Sequence, residues 1–209
     1  GCGAIGRFHV ASLQRLPDRY RLVGAADLDL NKAAEVSALF GAEPSANGFE
    51  LLKRTRPAVT LVALPHLLHL KYGLAALENG SHLLIEKPMA VSSDHCRRLI
   101  AKAEECGRRI LVGHTHQFRP HFRRAAQMIR DGACGKVEMI FDDAATFYDF
   151  ANRPGWFLDP IMAGGGALFN LVPHLIDHLL FLNDSPVVEV SGKLARLYPG
   201  LEIDTECTA

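Results

Sequence analysis

Apolar positions in the first half of the chain fall into short blocks that alternate between two periods. Ile5, Phe8, Val10, Leu13 and Leu16 fit one face of a helix, and Arg21 to Asp27 (RLVGAAD) then reads as a buried strand. The alternation continues. A helix over Lys32 to Phe40 stops at Gly41, and a short one over Phe49 to Arg54 ends by Pro57. The β-branched run Ala58 to Leu64 stops at Pro65, Leu68 to Glu78 is a helix closed by Asn79-Gly80, and Leu83 to Ile85 is a strand. Ser92 or Ser93 caps a helix that runs to Cys106, and Arg109 to Gly113 is the last strand of the series. Strands separated by helices predict a parallel sheet with helices on both faces.

The second half reads differently. Pro120 to Arg130 is a helix, Lys136 to Phe147 is a long run of strand propensity, and Tyr148 to Trp156 (YDFANRPGW) is a polar, aromatic loop. Three glycines then lead into a helical pattern over Ala167 to Leu182, with Pro173 expected to kink it. Val187 to Leu197 and Ile203 to Thr208 return to strand. The fold class is therefore α/β: a Rossmann-type parallel sheet domain over residues 1–116, then an α+β domain over residues 117–209 with a largely antiparallel open sheet. The first strand of the parallel sheet is expected to be missing and the second domain to be incomplete at its C-terminus, so the chain reads as a fragment.

Composition narrows the function classes. Basic and acidic residues balance at 23 each, which gives no reason to expect nucleic acid or an anionic membrane as partner. No stretch resembles a transmembrane span. The five cysteines are widely spaced with no C-x-x-C, which points to a reducing compartment and a cytoplasmic protein. The chain does not open on Met, and an upstream targeting segment is left open.

Three constellations carry candidate chemistry. Gly1-Cys2-Gly3-Ala4-Ile5-Gly6 is a G-x-G-x-x-G at the start of the first helix. Glycines there permit a tight turn, close approach of a pyrophosphate and close helix–sheet packing, and the helix N-terminus favours phosphate. Asp27, at the end of the following strand, stands where a ribose hydroxyl partner belongs. Glu86-Lys87-Pro88 lies just past a strand end, the edge at which open α/β sheets bind ligands. An ammonium at Lys87 can stabilise developing alkoxide charge, although an isolated E-K-P is by itself more simply a surface loop. In the third, Asn170 and His174 follow Gly164-Gly165-Gly166 and are spaced to share a helix face, against the plainer reading of a core helix with one hydrogen-bonded histidine.

Taken together, GCGAIGRFH, Asp27, EKP, ILVGHTHQFRP and GGGALFNLVPHLID resemble the Gfo/Idh/MocA family of nicotinamide-dependent oxidoreductases over essentially the whole chain. The combination VGHTHQF, YDF, RPGW and FNLVPH is most similar to its 4,5-dihydroxyphthalate dehydrogenase-like branch. The resemblance implies that Lys87 and His174 face the nicotinamide and the substrate, and that the open C-terminal sheet mediates a homo-oligomer. Two positions depart from the family pattern: Asn170 stands where an Asp is usual, and Gln117 where an Arg is common.

The expected activity is hydride transfer between a nicotinamide and a carbinol of a polyol, sugar-like or cyclic diol substrate. Lys87, His174 and Asn170 are the catalytic candidates. Gly1, Gly3, Ala4, Ile5, Gly6, Asp27, Pro65, His69, Glu86 and Lys87 are the cofactor-binding candidates, and His116, Tyr148 and Trp156 the substrate-binding ones. NAD is the expected cofactor because Asp27 repels a 2′-phosphate; NADP is the alternative, since Arg7 and Lys32 lie close in sequence. No metal is expected. Two other classes stand beside this reading: a non-catalytic dinucleotide-binding sensor or regulator on the same fold, and a metal-dependent hydrolase using His114-x-His116 and His174-x-x-x-His178.

Overall fold

A computed structural model describes residues 1–149, 152–183 and 185–208, so Phe150 and Ala151 of the predicted Tyr148–Trp156 loop lie outside the described residues. The chain divides into two compact units, Gly1–Val112 and Gly113–Ala209.

The first unit alternates helix and strand. Its elements are α1 (Ala4–Leu13), β1 (Gly24–Ala26), α2 (Leu30–Ala38), β2 (Glu43–Ser45), α3 (Gly48–Thr55), β3 (Val59–Val62), α4 (Leu68–Glu78), β4 (His82–Ile85), α5 (Ser93–Glu105) and β5 (Ile110–Val112). Every pairing among these strands is parallel, β1 with β2 and β3-β4-β5 in that order. Helix starts follow the expected chemistry: Asp29, Asn47 and Ser92 each accept a backbone N–H of the first turn they cap. Leu77, Leu83, Ile85 and Leu99 are fully buried where α4 and α5 pack on the three-stranded section. Cys2, Val10, Ala25, Ala33 and Val36 form a smaller core beside β1.

The glycine turn lies between the two sheet sections. The Cys2 N–H donates to Asp27 Oδ2 at 2.8 Å, and Gly1 is pressed against the Ala63 carbonyl just past β3.

The second unit carries α6 (Pro120–Arg130), α7 (Pro160–Ala163), α8 (Ala167–Asn170), α9 (Val172–Leu182), β6 (Lys193–Ala195) and β7 (Glu206–Thr208), with 3-10 turns at His116–Phe118 and Gly155–Phe157. β6 and β7 pair antiparallel, so the expected sheet is present, but it is shorter than the propensities suggest. Lys136 to Phe147 forms no strand, and of Val187 to Leu197 only residues 193–195 do. A strand needs a hydrogen-bonded neighbour, and among the described residues β6 and β7 have only each other. Met139, Phe141 and Val188 accordingly stand exposed.

The predicted helix over Ala167 to Leu182 is two helices broken at Leu171. Pro173 is the reason. It sits in the first turn of α9, where its missing N–H deletes no helical bond, so the expected bend comes as a new helix start, with 44° between the segments Pro160–Asn170 and Val172–Leu182. Among the described residues no single helix is long and apolar enough to cross a membrane.

Candidate functional site

The candidate residues gather at one place in each unit. In the first, the three fingerprint glycines meet different constraints. A Cβ on Gly1 would lie 2.1 Å from the Ala63 carbonyl oxygen, and one on Gly6 would lie 2.1 Å from the Gly1 carbonyl oxygen. Internal packing therefore requires both glycines. A Cβ on Gly3 would meet nothing within 4 Å. Gly3 is the N-cap of α1 with no side-chain cap, so the start of Ala4, Ile5 and Gly6 offers backbone N–H groups and the positive end of a helix dipole beside open space. That combination fits a pyrophosphate.

Asp27 is held in place by this turn. Oδ2 accepts the Cys2 N–H at 2.8 Å and Oδ1 the Asp29 N–H at 3.1 Å. Burial pushes its carboxyl up, but these two N–H donors, with Lys32 nearby, outweigh burial and hold it below the usual carboxylate range. Each oxygen keeps a second lone pair for a hydroxyl donor. The cations nearest in sequence are each shared with another carboxylate, Arg7 with Glu35 and Lys32 with Asp29 at 3.7 Å.

The E-K-P turn is tied to the glycine helix. Glu86 Oε1 meets His9 Nε2 at 2.7 Å, and Glu86 Oε2 accepts the Lys87 N–H at 3.1 Å. The turn follows β4, and Glu86 N–H donates to the Val62 carbonyl of β3, which sets Lys87 at the C-terminal edge of the three-stranded section. Pro65 lies past the end of β3 at the same edge, where its carbonyl accepts the Leu68 N–H. His69 has a different part from the one its position suggests. It is fully buried, its ring nitrogens 2.9 Å from the Pro88 carbonyl and 3.0 Å from the Leu64 carbonyl. Burial, opposed by those carbonyls, holds its pKa below the usual histidine value. With no exposed surface it braces the E-K-P turn rather than offering itself to a dinucleotide.

In the second unit the 3-10 turn at His116 faces α9. His116 stacks on His174 with ring centroids 4.2 Å apart and planes 13° from parallel, and His116 Nδ1 lies 2.8 Å from His178 Nε2. His178 Nδ1 in turn lies 2.7 Å from Asp142 Oδ2. His114 and Asp177 approach to 3.9 Å beside a shallow depression of about 210 Å³ bordered also by Pro173, Ile176 and Leu180. Three histidines of the hydrolase reading, His116, His174 and His178, thus come together. However, the His116 and His178 nitrogens are hydrogen-bonded partners, nearer than the roughly 3.3 Å that separates two nitrogens on one tetrahedral zinc ion. Among the described residues no group of three or more His, Cys, Asp and Glu is placed to hold a metal.

Asn170 ends α8 and His174 stands in the first turn of α9, with the helix break at Leu171 between them. Asn170 Nδ2 is 3.5 Å from the Tyr148 hydroxyl, whose pKa is raised chiefly by burial, with Arg153 and Asn170 acting against it. Arg153 lies over both Tyr148 and Phe157, and Trp156 stacks on Phe157 at 3.8 Å. Tyr148 and Trp156 are therefore linked through one cation and one ring.

Three residues escaped the sequence reading. Asp204 accepts the Gly166 and Leu168 N–H groups, each at 2.7 Å, while its carbonyl accepts the Ala167 N–H at 2.9 Å. The glycine triplet signals such a close approach without naming its partner. His9 lies three residues past the glycine motif, on α1, where nothing assigns it a role. Asp142 is hidden in a run that reads as strand.

Comparison with known proteins agrees with this layout. The family model "Oxidoreductase family, NAD-binding Rossmann fold" matches residues 1–114, and "GFO/IDH/MocA C-terminal domain" matches residues 122–209. A 1-carboxy-3-chloro-3,4-dihydroxycyclohexa-1,5-diene dehydrogenase of Comamonas testosteroni is 34% identical over 85% of this chain and 45% of its own. An inositol 2-dehydrogenase of Rubrobacter xylanophilus is 32% identical over 65% of this chain and 39% of its own. The chain thus spans less than half the length of either relative. The WlbA dehydrogenase of Bordetella pertussis, solved in complex with NADH and UDP-GlcNAcA, superposes with a TM-score of 0.86 at 25% identity, over 99% of this chain and 60% of that one.

Proposed function

The chain belongs to the Gfo/Idh/MocA oxidoreductase family, and from that premise we propose that it is an NAD-dependent dehydrogenase acting on CH–OH groups, with a polyol, sugar-like or cyclic diol substrate. The observation that carries the reading is the contrast within the glycine turn: Gly1 and Gly6 are demanded by the fold, whereas Gly3 faces open space at an uncapped helix start. A glycine that packing does not require, opposite an ionised Asp27, is accounted for by a diphosphate and a ribose diol. The cyclic diol in particular is supported by the relatives named for a dihydroxycyclohexadiene and for inositol.

Bound NAD supplies the hydride acceptor. The chain's own residues then divide the remaining work. Backbone N–H groups at Gly3 to Gly6 bind the pyrophosphate, Asp27 accepts from the adenosine ribose, and Pro65 borders the nicotinamide end. Glu86 fixes the Lys87 backbone, and the Lys87 ammonium donates to the oxygen on the reacting carbon, stabilising negative charge there as its proton leaves. His174 accepts that proton. Asn170 orients His174 or the substrate, while His116, Tyr148 and Trp156 contact the rest of the substrate. A homo-oligomer through the C-terminal sheet belongs to the same proposal.

The test is a screen of the intact protein with NAD against polyols, sugars and cyclic diols, followed through the absorbance of reduced nicotinamide. Turnover lost in both Lys87→Ala and His174→Ala supports the assignment. NAD binding without turnover of any candidate would favour the sensor reading.

A further inference from the structure

We propose that Asp142, His178 and His116 form a carboxylate–histidine–histidine relay that fixes the protonation of the ring against which His174 stacks, an inference that rests on His174 as the acid/base of the proposed dehydrogenase. The residues lie in series at hydrogen-bonding distance: 2.7 Å from Asp142 Oδ2 to His178 Nδ1, then 2.8 Å from His178 Nε2 to His116 Nδ1. His178 is the most enclosed of them, at 8% exposure, with the Phe122 ring of α6 at 4.1 Å from its own.

Counting protons along the series leaves little freedom. A carboxylate only accepts, so His178 Nδ1 carries a proton. In a neutral His178 the Nε2 is then bare, and His116 Nδ1 must supply the proton of the second bond. His116 is therefore the Nδ1–H tautomer, with its Nε2 as the basic nitrogen. A proton taken up at His116 Nε2 need not leave its charge there. The Nδ1–H bond of His116 breaks as the Nε2–H bond of His178 forms, and the positive charge comes to rest on His178 beside the Asp142 carboxylate.

Stacking gives this displacement a purpose. His174 lies face to face with His116, so two charged rings 4.2 Å apart would oppose each other. With the charge passed to His178, His174 can take a proton from substrate without an imidazolium against its face. The groups around the series are His174 and His178 from α9, Asp142 from the segment before Phe147, and the His114–Asp177 pair at 3.9 Å; the Phe122 ring from α6 adds no charge. Asp142 and His178 are thus positioning residues, acting on His174 through His116.

The experiment joins a measurement that needs no turnover to one that does. In the intact protein, nitrogen-15 histidine spectra should show His178 and His116 both protonated at Nδ1 near neutral pH. A His116 protonated at Nε2 instead would overturn the relay whatever the enzyme's activity. In Asp142→Asn, kcat should fall by roughly tenfold or more with the KM for NAD unchanged, and the low-pH limb of the kcat/KM profile, on which a general base must be free of its proton, should move. Asp142→Glu should restore part of the rate. An unmoved pH profile in a folded Asp142→Asn protein would also overturn it. If His174→Ala abolishes turnover while Asp142→Asn changes nothing, the dehydrogenase reading stands and the relay falls.

Discussion

His9 of α1 and Glu86 of the E-K-P turn meet at 2.7 Å across 77 residues of sequence, joining the helix that starts at the glycine turn to the turn that presents Lys87. Glu86 is largely buried, which by itself would raise its pKa. The His9 hydrogen bond, the Lys87 N–H and the charges of both residues outweigh that effect and hold it below its ordinary value of 4.5. A depressed folded-state pKa adds stability above the unfolded value, and that stability is lost as pH falls through the folded one. Asp27 is depressed in the same direction. The melting temperature should therefore drop steeply on acidification below about pH 4.5, and less steeply in Glu86→Gln. Parallel acid curves for the two proteins would remove Glu86 from this role.

In the proposed function Asp27 sets the choice of dinucleotide. Arg7 and Lys32, the cations nearest in sequence, are shared with Glu35 and Asp29, which weakens the attraction either offers a 2′-phosphate. Wild-type protein should favour NAD over NADP, and Asp27→Ser should narrow or reverse the preference. A native preference for NADP of tenfold, about 1.4 kcal/mol, would contradict this.

Lys87→Ala should lower kcat by on the order of 10²-fold while leaving NAD affinity nearly intact, because its charge acts on an oxygen that becomes more negative in the transition state. Titration of NAD by intrinsic fluorescence, beside steady-state rates, separates the two effects. Weakened NAD binding at unchanged kcat would make Lys87 a cofactor contact instead.

The two glycine clusters predict opposite outcomes. A Cβ on Gly166 would stand 1.8 Å from the Asp204 carbonyl oxygen, and backbone cannot step aside as a side-chain tip can. Gly166→Ala should destabilise the protein by at least the 1–3 kcal/mol typical of overpacking, read as a lower melting temperature. Gly3→Ala meets no neighbour, so its melting temperature should stay within a few degrees of wild type while NAD binding weakens. Equal thermal losses in both variants would argue against a cofactor cradle at Gly3.

Local signals explain how much of this was legible beforehand. Leu68–Glu78 and Pro120–Arg130 match the sequence reading residue for residue, since an Asn-Gly stop and an N-terminal Pro mark boundaries without help from tertiary structure. Lys136 to Phe147 misled because strand propensity describes a residue's fit to a sheet, while the existence of the sheet depends on a partner elsewhere. At Pro173 the expected bend is present, 44° between the segments before and after Leu171, but as a break between two helices: a proline can kink a helix or begin one, and spacing alone does not choose. Within the site, the glycines, Asp27, Lys87 and His174 carried motif signals. The contacts that hold them, His9 on Glu86, Asp204 on Gly166 and Asp142 on His178, join residues 36 or more positions apart, and no local pattern encodes such pairings.

If this protein moves a hydride from a carbinol carbon to NAD, as proposed, the hydrogen itself can be followed. Incubating the intact protein with NAD and a cyclic diol deuterated at its carbinol carbons should yield reduced nicotinamide carrying the deuterium, seen by mass spectrometry, with single-turnover rates slowed relative to the protiated diol. Reduced nicotinamide formed without the label, or diol consumed with no reduction of NAD, would contradict the account.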